Sequence, residues 1–496
     1  MRDAAPDSDS TLSATASTPR ETLGFWDAVS LIVGVVIGAG IYETAPLVLA
    51  NVPNAATALG LWFAAGVLSL AGAACYAELA SAYPRSGGDY FYLSRAFGPF
   101  VGFLFGWSQL TVILTGSIGM MAYVFADYAA GLGAGNPALL ASLAVVALTL
   151  LNVASVKSGR RTQNALTLVK VAGLCAVVVA GFASGGERAS VPASAELMRE
   201  PGAAAQAGSL GLAMILVLYT FGGWNDAAFV AAEVRDKRKN VARALLVGTA
   251  LVTLAYLLVN AAFLVGLGFE QARQSRAIAA DLLGRTFGAP GRVAISLLVM
   301  ISALGAVNAL IFTGARVVAS LGDDYRGLSA LGRRNPRHDS PAGALLLQGA
   351  IAVALIVLLG TGTGRALAVA LFGGFGLSPA SFTGHGGFDT LLRSTAPVFW
   401  AFFLLTGISL FVLRFRDPRI ERPFRVPLFP LVPLLFAGTC AFMLQSSLDY
   451  AGPLVLVTLP FLLFGIPFYF TRRQRRVQSP ERRLAPRAQP AVRTQP

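Results

Sequence analysis

Apolar stretches of about twenty residues recur along the whole 496-residue chain, and this pattern restricts the possible folds more than any other feature. A helix of about 20 residues crosses the hydrocarbon core of a bilayer, where only helices and closed barrels satisfy all their backbone hydrogen bonds. The composition agrees, because 55% of the residues are hydrophobic and 13% are charged. The sequence therefore predicts an all-α polytopic membrane protein.

Twelve membrane spans are predicted. They cover residues 25–50, 56–82, 99–126, 137–154, 164–184, 208–232, 241–268, 291–315, 343–360, 395–413, 428–445 and 454–471. The apolar part of residues 366–387 is too short to cross a bilayer, so we predict a re-entrant or interfacial segment there. The tails, 1–23 and 472–496, are polar or basic and are predicted to be disordered.

The net charge of +14 is distributed unevenly between the two sides of the predicted spans. Lys and Arg concentrate in both tails and in alternate connections, so the positive-inside rule places both termini in the cytoplasm, with the chain in the cell membrane. The basic connections are then topology signals, and no nucleic-acid partner is expected.

The residues that usually build metal and redox sites are few and scattered. The cysteines, Cys75, Cys175 and Cys440, lie in apolar segments far apart, and the histidines are His338 and His385. None has metal-ligand spacing, and no nucleophile motif is present. We therefore predict no metal, no cofactor and no enzymatic activity.

The first span contains a helix-breaking run, GVVIGAGIYETAP, at residues 34–46. Each glycine costs a helix about 1 kcal/mol and a proline about 3 kcal/mol. The sixth span has a matching break, YTFGGWND, at residues 219–226. Two interrupted helices in corresponding positions indicate a transporter site built on an inverted repeat. The predicted halves of the repeat are 24–184 and 208–413, and two further helices follow in 428–471.

A simpler interpretation is that Gly34 and Gly38 form a G-x-x-x-G packing motif. That interpretation leaves Asn225 and Asp226 unexplained, because polar groups at membrane depth are costly and usually functional.

A broken helix can bind an amino acid because it exposes free N–H groups on one side of the break and free carbonyls on the other. The predicted carboxylate contacts are the amides of Ala39, Gly40 and Ile41. The predicted ammonium contacts are the carbonyls of Val36, Tyr219 and Gly222. Phe221, Trp224 and Asn225 complete the predicted substrate-binding set.

Several long segments resemble one transporter superfamily in the same order along the chain. They are GVVIGAGIY, CYAELASAYPRSGGDYFYLSRAFGPFVGFLFGW, LYTFGGWNDAAFVAAEVRDKRKNVARAL, LGAVNALIFTGARVVASLGDD and RFRDPRIERPFRVP. On these motifs the chain resembles the amino acid, polyamine and organocation (APC) superfamily, nearest its L-type amino acid transporter branch. The resemblance implies a five-plus-five inverted repeat with two added helices and transport by alternating access.

The resemblance also implies roles for individual residues. Tyr219 takes the position of an aromatic gate over the substrate, although spacing alone fits a packing aromatic equally well. Lys170 takes the place of sodium in the coupled relatives, bridging the Gly34 carbonyl to Ser302. The alternative is a lysine that snorkels to the surface.

The resulting hypothesis is a sodium-independent secondary transporter of L-amino acids, most simply neutral ones, working as an exchanger or a proton-coupled permease. A cationic amino acid or polyamine transporter, with Asp226 or Glu43 as counter-ion, is the alternative. A transporter-like amino acid receptor is the alternative of another class. The expected partners are the substrate, the lipid bilayer and, for a permease, protons, with no obligatory protein partner.

Four charged residues near the second connection, Glu78, Arg85, Asp89 and Arg95, are predicted to form a salt-bridge network on the cytoplasmic side. Such a network would stabilise the outward-facing state, because its partners separate when that side opens.

Overall fold

The computed structural model describes residues 24–38, 40–85, 87–154, 156–184, 209–225, 228, 234–275, 277–333, 340–383 and 385–472. The predicted disordered tails, apart from Arg472, and the site residues Ala39 and Asp226 lie outside these ranges. The described chain is helical almost throughout.

The helices through the first half of the chain are α1 (Phe25–Val36), α2 (Gly40–Ala50), α3 (Ala55–Ala82), α4 (Asp89–Phe97), α5 (Pro99–Ser108), α6 (Leu114–Gly131), α7 (Pro137–Ala154) and α8 (Val156–Ser184). Those of the second half are α9 (Ser209–Thr220), α10 (Lys237–Leu267), α11 (Phe269–Gln274), α12 (Ile278–Asp324), α13 (Ser329–Gly332), α14 (Ala342–Gly360), α15 (Gly362–Phe372), α16 (Gly387–Arg416), α17 (Leu431–Ala451), α18 (Leu459–Leu463) and α19 (Ile466–Tyr469).

Among the described residues, 8 helices are long and apolar enough to cross a membrane, and 9 spans result if α1 and α2 count as one bent span. Shorter apolar helices lie at Thr167–Ala183, Leu210–Thr220 and Leu459–Tyr469, where the fifth, sixth and twelfth spans are predicted. The protein is therefore an integral, polytopic α-helical membrane protein. The count of twelve and the inverted repeat stay predictions.

Two predicted spans are longer in the structure than in the sequence pattern. The predicted eighth span, 291–315, lies within α12. This helix starts at Ile278 and is kinked at Gly288, where φ is 68°. The tenth begins at Gly387 instead of 395, because polar residues such as Asp389 occupy the first turns of α16 without ending the helix. Residues 366–387 contain the end of α15, an 11-residue helix too short to span.

Small residues allow the spans to approach closely. The second span packs against the seventh, α3 on α10, and a side chain at Gly66 would place its Cβ 2.2 Å from Thr253 Cγ2. The fifth packs against the eighth, where a Cβ at Gly173 would lie 2.1 Å from Leu298 Cδ2. Because lipid and leucine are equally apolar, such close packing replaces the hydrophobic effect in holding membrane helices together.

The charged residues near the second connection form ion pairs, but with other partners than predicted. Glu78 is fully buried and accepts two hydrogen bonds from Arg414, at 2.8 and 2.5 Å, and one from the Val426 amide at 2.7 Å. The Arg422 Nε atom lies 3.7 Å from the same carboxylate. The second span is thereby tied to the end of the tenth and to the basic segment that follows.

The other three members of the predicted cluster also lie apart. Arg95 makes a bidentate pair with Asp417, which also accepts a 2.7 Å bond from Tyr83. The Arg85 guanidinium stacks over the Phe91 ring, and Asp89 has no ion-pair partner among the described residues. The prediction of a network within this foursome was wrong, because the partners come from a segment distant in sequence.

Glu78→Ala should destabilise the protein, because it leaves Arg414 without its carboxylate and Val426 without its acceptor. Removing one partner of a buried ion pair costs about 3–5 kcal/mol. Since Arg414 is 21% exposed, we expect a cost near the lower end, measured by denaturation of the purified protein in detergent.

The matched control is Glu421→Ala, which removes an ion pair to Arg238 whose partners are 75% and 53% exposed. Exposed pairs contribute little to stability, so this variant should unfold like the wild type. Equal effects of the two substitutions would contradict the assignment of Glu78 as a buried structural anion.

Candidate functional site

The first span is broken where its glycines predict. α1 ends at Val36, α2 begins at Gly40, and the two axes differ by 48°. The Gly38 amide turns back to the Val36 carbonyl at 2.7 Å, across Ile37 with φ −72° and ψ 80°. This is the geometry of an inverse γ-turn, which ends the helix at once.

The sixth span is broken at the predicted position as well. α9 ends at Thr220, and the Gly222 amide closes a tight turn on the Tyr219 carbonyl at 2.9 Å. Gly223 has φ 104°, and a Cβ there would lie 2.8 Å from Val35 Cγ1. Glycine is required at this position both by the backbone conformation and by the close approach of the first span.

Two hydroxyl contacts join the broken helices. The Tyr256 hydroxyl, on α10, lies 2.6 Å from the Val36 carbonyl and 3.1 Å from the Thr220 carbonyl. The Thr44 and Thr220 hydroxyls are 2.7 Å apart. These three residues are not among those that the sequence motifs predict, although polar groups at membrane depth are usually functional.

The Val36 carbonyl does not have the role predicted for it, which was to bind the substrate ammonium group. It already accepts bonds from the Gly38 amide at 2.7 Å and the Tyr256 hydroxyl at 2.6 Å. A carbonyl oxygen has two lone pairs, so both are engaged in this structure. Val36 therefore contributes to holding the break and does not present an open acceptor for an ammonium group.

A cavity of about 100 Å³ lies between the two breaks. The predicted residues that line it are Val36, Gly40, Tyr219, Gly222 and Asn225. Further lining comes from the third span (Gln109, Ser117 and Met120), the eighth (Ala306 and Leu310) and the tenth (Thr395 and Phe399). None of the described lining residues carries a charge.

The side chains of three other predicted residues do not border the cavity. Ile41 is fully buried. Phe221 packs against Trp62 and Tyr256, with ring centroids 6.1 and 5.1 Å apart. Trp224 packs edge-on against Tyr76 at 5.1 Å. The Phe221 and Trp224 side chains therefore pack against aromatic residues of other helices and hold the broken segment in place.

Polar side chains line the cavity, and one of them, Asn225, has an oxygen without a partner among the described residues. Asn225 is 4% exposed, and its side-chain oxygen has no hydrogen-bond partner among the described residues. Gln109 is similarly buried and begins a π-helical turn, Gln109–Ile113, of the third span. Such turns often mark functional sites, because they rotate side chains out of the regular helical pattern. Tyr219 lines the cavity with its hydroxyl 3.1 Å from Met120 Sδ.

Lys170 lies deep in the structure, with a side chain that is 1% exposed and donates to the Gly34 carbonyl at 2.8 Å. Snorkelling to the surface does not occur in this conformation. Ser302 is also buried on α12, but no hydrogen bond joins it to Lys170 among the described contacts. The bridge from the fifth span to the first is present, and the predicted extension to Ser302 is not.

The structure describes one of the two acids whose roles the sequence leaves open. Glu43 lies on α2, one turn beyond the break and outside the described lining residues. Asp226 lies outside the described residues.

Tyr256→Phe tests the link between the breaks, because it deletes the hydroxyl and leaves the ring packing unchanged. The variant loses one of the two hydrogen bonds to the Val36 carbonyl and the contact with the Thr220 carbonyl. An intramolecular hydrogen bond contributes about 0.5–1.5 kcal/mol net, so thermal unfolding in detergent should occur at a lower temperature.

The control is Tyr128→Phe, since the buried Tyr128 hydroxyl has no partner among the described residues. Its removal should be neutral or stabilising. The assigned link would be incorrect if the two variants unfolded at the same temperature.

Comparison with known proteins agrees with this architecture. A family model described as amino acid permease matches residues 23–467. The b(0,+)-type amino acid transporter 1 of Rattus norvegicus is 30% identical over 472 residues, covering 93% of this chain and 89% of the relative. The large neutral amino acids transporter small subunit 2 of Mus musculus is 29% identical over 486 residues, covering 94% and 84%.

These relatives are transporters and not enzymes, and they match the chain along nearly its whole length. Because the chain has membrane helices and matches the family model over residues 23–467, it belongs to the amino acid permease family. Within the APC superfamily it is similar to members of the L-type branch.

Proposed function

We propose that this protein is a sodium-independent secondary transporter of neutral L-amino acids that works by alternating access. The observation that carries the proposal is the cavity between two broken spans, whose described lining residues are all uncharged. A zwitterion entering a bilayer needs partners for both its carboxylate and its ammonium group. Helix ends supply such partners without a charged side chain.

The carboxylate is assigned to the first turn of α2. The amides of Gly40 and Ile41 belong to that turn, where N–H groups have no intrahelical partner and the helix dipole favours an anion. Ala39, the third predicted amide, precedes them directly. Because α2 starts at the cavity, the carboxylate needs no lysine or arginine.

The ammonium group is assigned to the sixth span. The unpartnered Asn225 oxygen faces the cavity, and the Tyr219 and Gly222 carbonyls belong to the same turn. This arrangement replaces the predicted Val36 carbonyl, whose lone pairs are engaged. Tyr219 remains the proposed gate, because it lines the cavity beside the break.

We infer a neutral substrate side chain from the other described lining residues. They combine apolar residues such as Met120, Leu310 and Phe399 with uncharged polar ones. The described lining offers no counter-ion for a cationic amino acid or a polyamine, and burying an unpaired charge is costly. Of the two counter-ions named for that alternative, Glu43 is not among the described lining residues, and Asp226 lies outside the described residues.

Sodium independence is assigned to Lys170. Its ammonium group donates to the Gly34 carbonyl from the fifth span, a position where a bound cation would otherwise join the two spans. We place both termini in the cytoplasm from the distribution of Lys and Arg, and we require no protein partner, although one relative is named a small subunit.

Gly40→Leu should abolish uptake of radiolabelled neutral amino acids into proteoliposomes, because its side chain would fill the cavity at the carboxylate site. Gly40→Ala is the control. A Cβ at this position has Met121 Cε as its nearest neighbour, at 3.9 Å, so the methyl group fits and uptake should persist. Normal transport by the leucine variant would contradict the site. A folded wild-type protein that binds amino acids and transports none would favour the receptor alternative.

Replacing external sodium by choline should leave wild-type uptake unchanged if Lys170 occupies the cation position. Lys170→Met keeps the chain length and removes the charge, so uptake should fall at least tenfold in either salt. Tenfold corresponds to about 1.4 kcal/mol, less than a charge-assisted hydrogen bond typically contributes. A sodium requirement in the wild type, or full activity of the methionine variant, would refute the assignment.

A further inference from the structure

Asp89 is a buried carboxyl group that belongs neither to the described ion pairs nor to the proposed substrate site. It begins α4, the short helix between the second and third spans, and is 1% exposed. Neither of its oxygens has a hydrogen-bond partner among the described residues. An ionised carboxylate in such a position is strongly destabilised, and it takes up a proton instead.

The groups that face Asp89 are hydroxyls. Tyr76 approaches from the second span, Thr406 from the tenth, and Tyr92 from its own helix. All three hydroxyl oxygens are buried without completed hydrogen bonds. Burial raises the pKa of Asp89 to about 7, and the Tyr76 and Thr406 hydroxyls lower it by a smaller amount.

The described cations in this part of the structure are engaged elsewhere, Arg422 included, because its Nε atom lies 3.7 Å from the Glu78 carboxylate. Arg414 pairs with Glu78, Arg95 pairs with Asp417, and Arg85 stacks over an aromatic ring. Asp89 is therefore the one described acid of this region that lacks a basic partner. Because its neighbours belong to three different helices, any separation of those helices would admit water to the carboxyl group.

Aromatic contacts connect this carboxyl group to the broken sixth span. The Tyr76 ring packs edge-on against Trp224 at 5.1 Å, and Phe403 packs against both rings at 5.8 Å. Trp224 directly precedes Asn225 of the cavity lining. A movement of the sixth span at its break would therefore displace these packed rings, and Tyr76 among them faces Asp89.

We propose that Asp89 is a proton-binding site whose occupancy favours the conformation in which α4 is closed against the second and tenth spans. In this conformation the carboxyl group holds its proton. When the helices separate, water enters, the O–H bond breaks and the proton leaves to water on that side, which we assign to the cytoplasm. By linkage, protons on that side oppose opening. This inference extends the proposed transport function.

Thermal unfolding tests the site without any transport assay. Asp89→Asn mimics the protonated acid. An unfolded Asp has a pKa of about 3.9, so the native wild type binds a proton more tightly than the unfolded chain. Its stability therefore falls as the pH rises from about 4 to about 7. The gain in unfolding temperature of the Asn variant over wild type should grow between pH 5 and pH 8.

Asp417→Asn is the matched control. The hydrogen bond from Arg95 lowers the pKa of Asp417, so its contribution to stability is complete above the unfolded pKa and is lost only at strongly acid pH. This variant should lose stability by the same amount at pH 5 and pH 8. A pH-independent difference for Asp89→Asn, or a loss of folding, would overturn the proton site.

Exchange of radiolabelled amino acid in oriented proteoliposomes then tests the link to the transport cycle. Acidifying the side that carries α4 should slow wild-type exchange, and the Asn variant should be slow and insensitive to that pH. An Asn variant with the wild-type pH profile would refute the link. Absence of exchange in the wild type would refute the transport function and leave the thermal result for Asp89 standing.

Discussion

A helix interrupted inside a bilayer leaves backbone N–H and C=O groups without partners, and each unsatisfied group there costs several kcal/mol. Much of this structure follows from how those groups are satisfied. A γ-turn at Ile37 and the Tyr256 hydroxyl engage the Val36 carbonyl, while Tyr219 and Gly222 close a turn in the sixth span. Gly40, which begins α2, and Asn225, whose side-chain oxygen has no partner among the described residues, line one small cavity.

Charge is distributed in accord with this constraint. The cavity lining carries no charge among the described residues, whereas the buried charges nearby hold helices together: Lys170 joins the fifth span to the first, and Glu78 joins the second to the end of the tenth. In the proposed site, a substrate zwitterion meets helix dipoles, and these two fixed charges join helices of the scaffold. Asp89 differs from these two, because it is buried without a basic partner among the described residues, and the proposed proton site follows from that difference.

Much of the fold and part of the site could be predicted from sequence, because glycine and apolar length are local signals. The breaks at Gly38 and Gly222 follow from residues that helices tolerate poorly. Partners could not be predicted, because Tyr256 and Arg414 are distant in sequence from the groups they bind. Phe221 and Trp224 lie within the predicted site motif but pack against aromatic residues of other helices.

The sequence by itself determined that the chain spans a membrane, where its first and sixth spans break, and which family it resembles. These properties depend on apolar length, on glycine and on runs of adjacent residues. Tertiary structure decided which carbonyls are engaged, which acid pairs with which base, and which side chains reach the cavity. Those outcomes depend on how separate helices approach each other, and hydrophobicity, which dominates the sequence of a membrane protein, carries little information about the faces that meet.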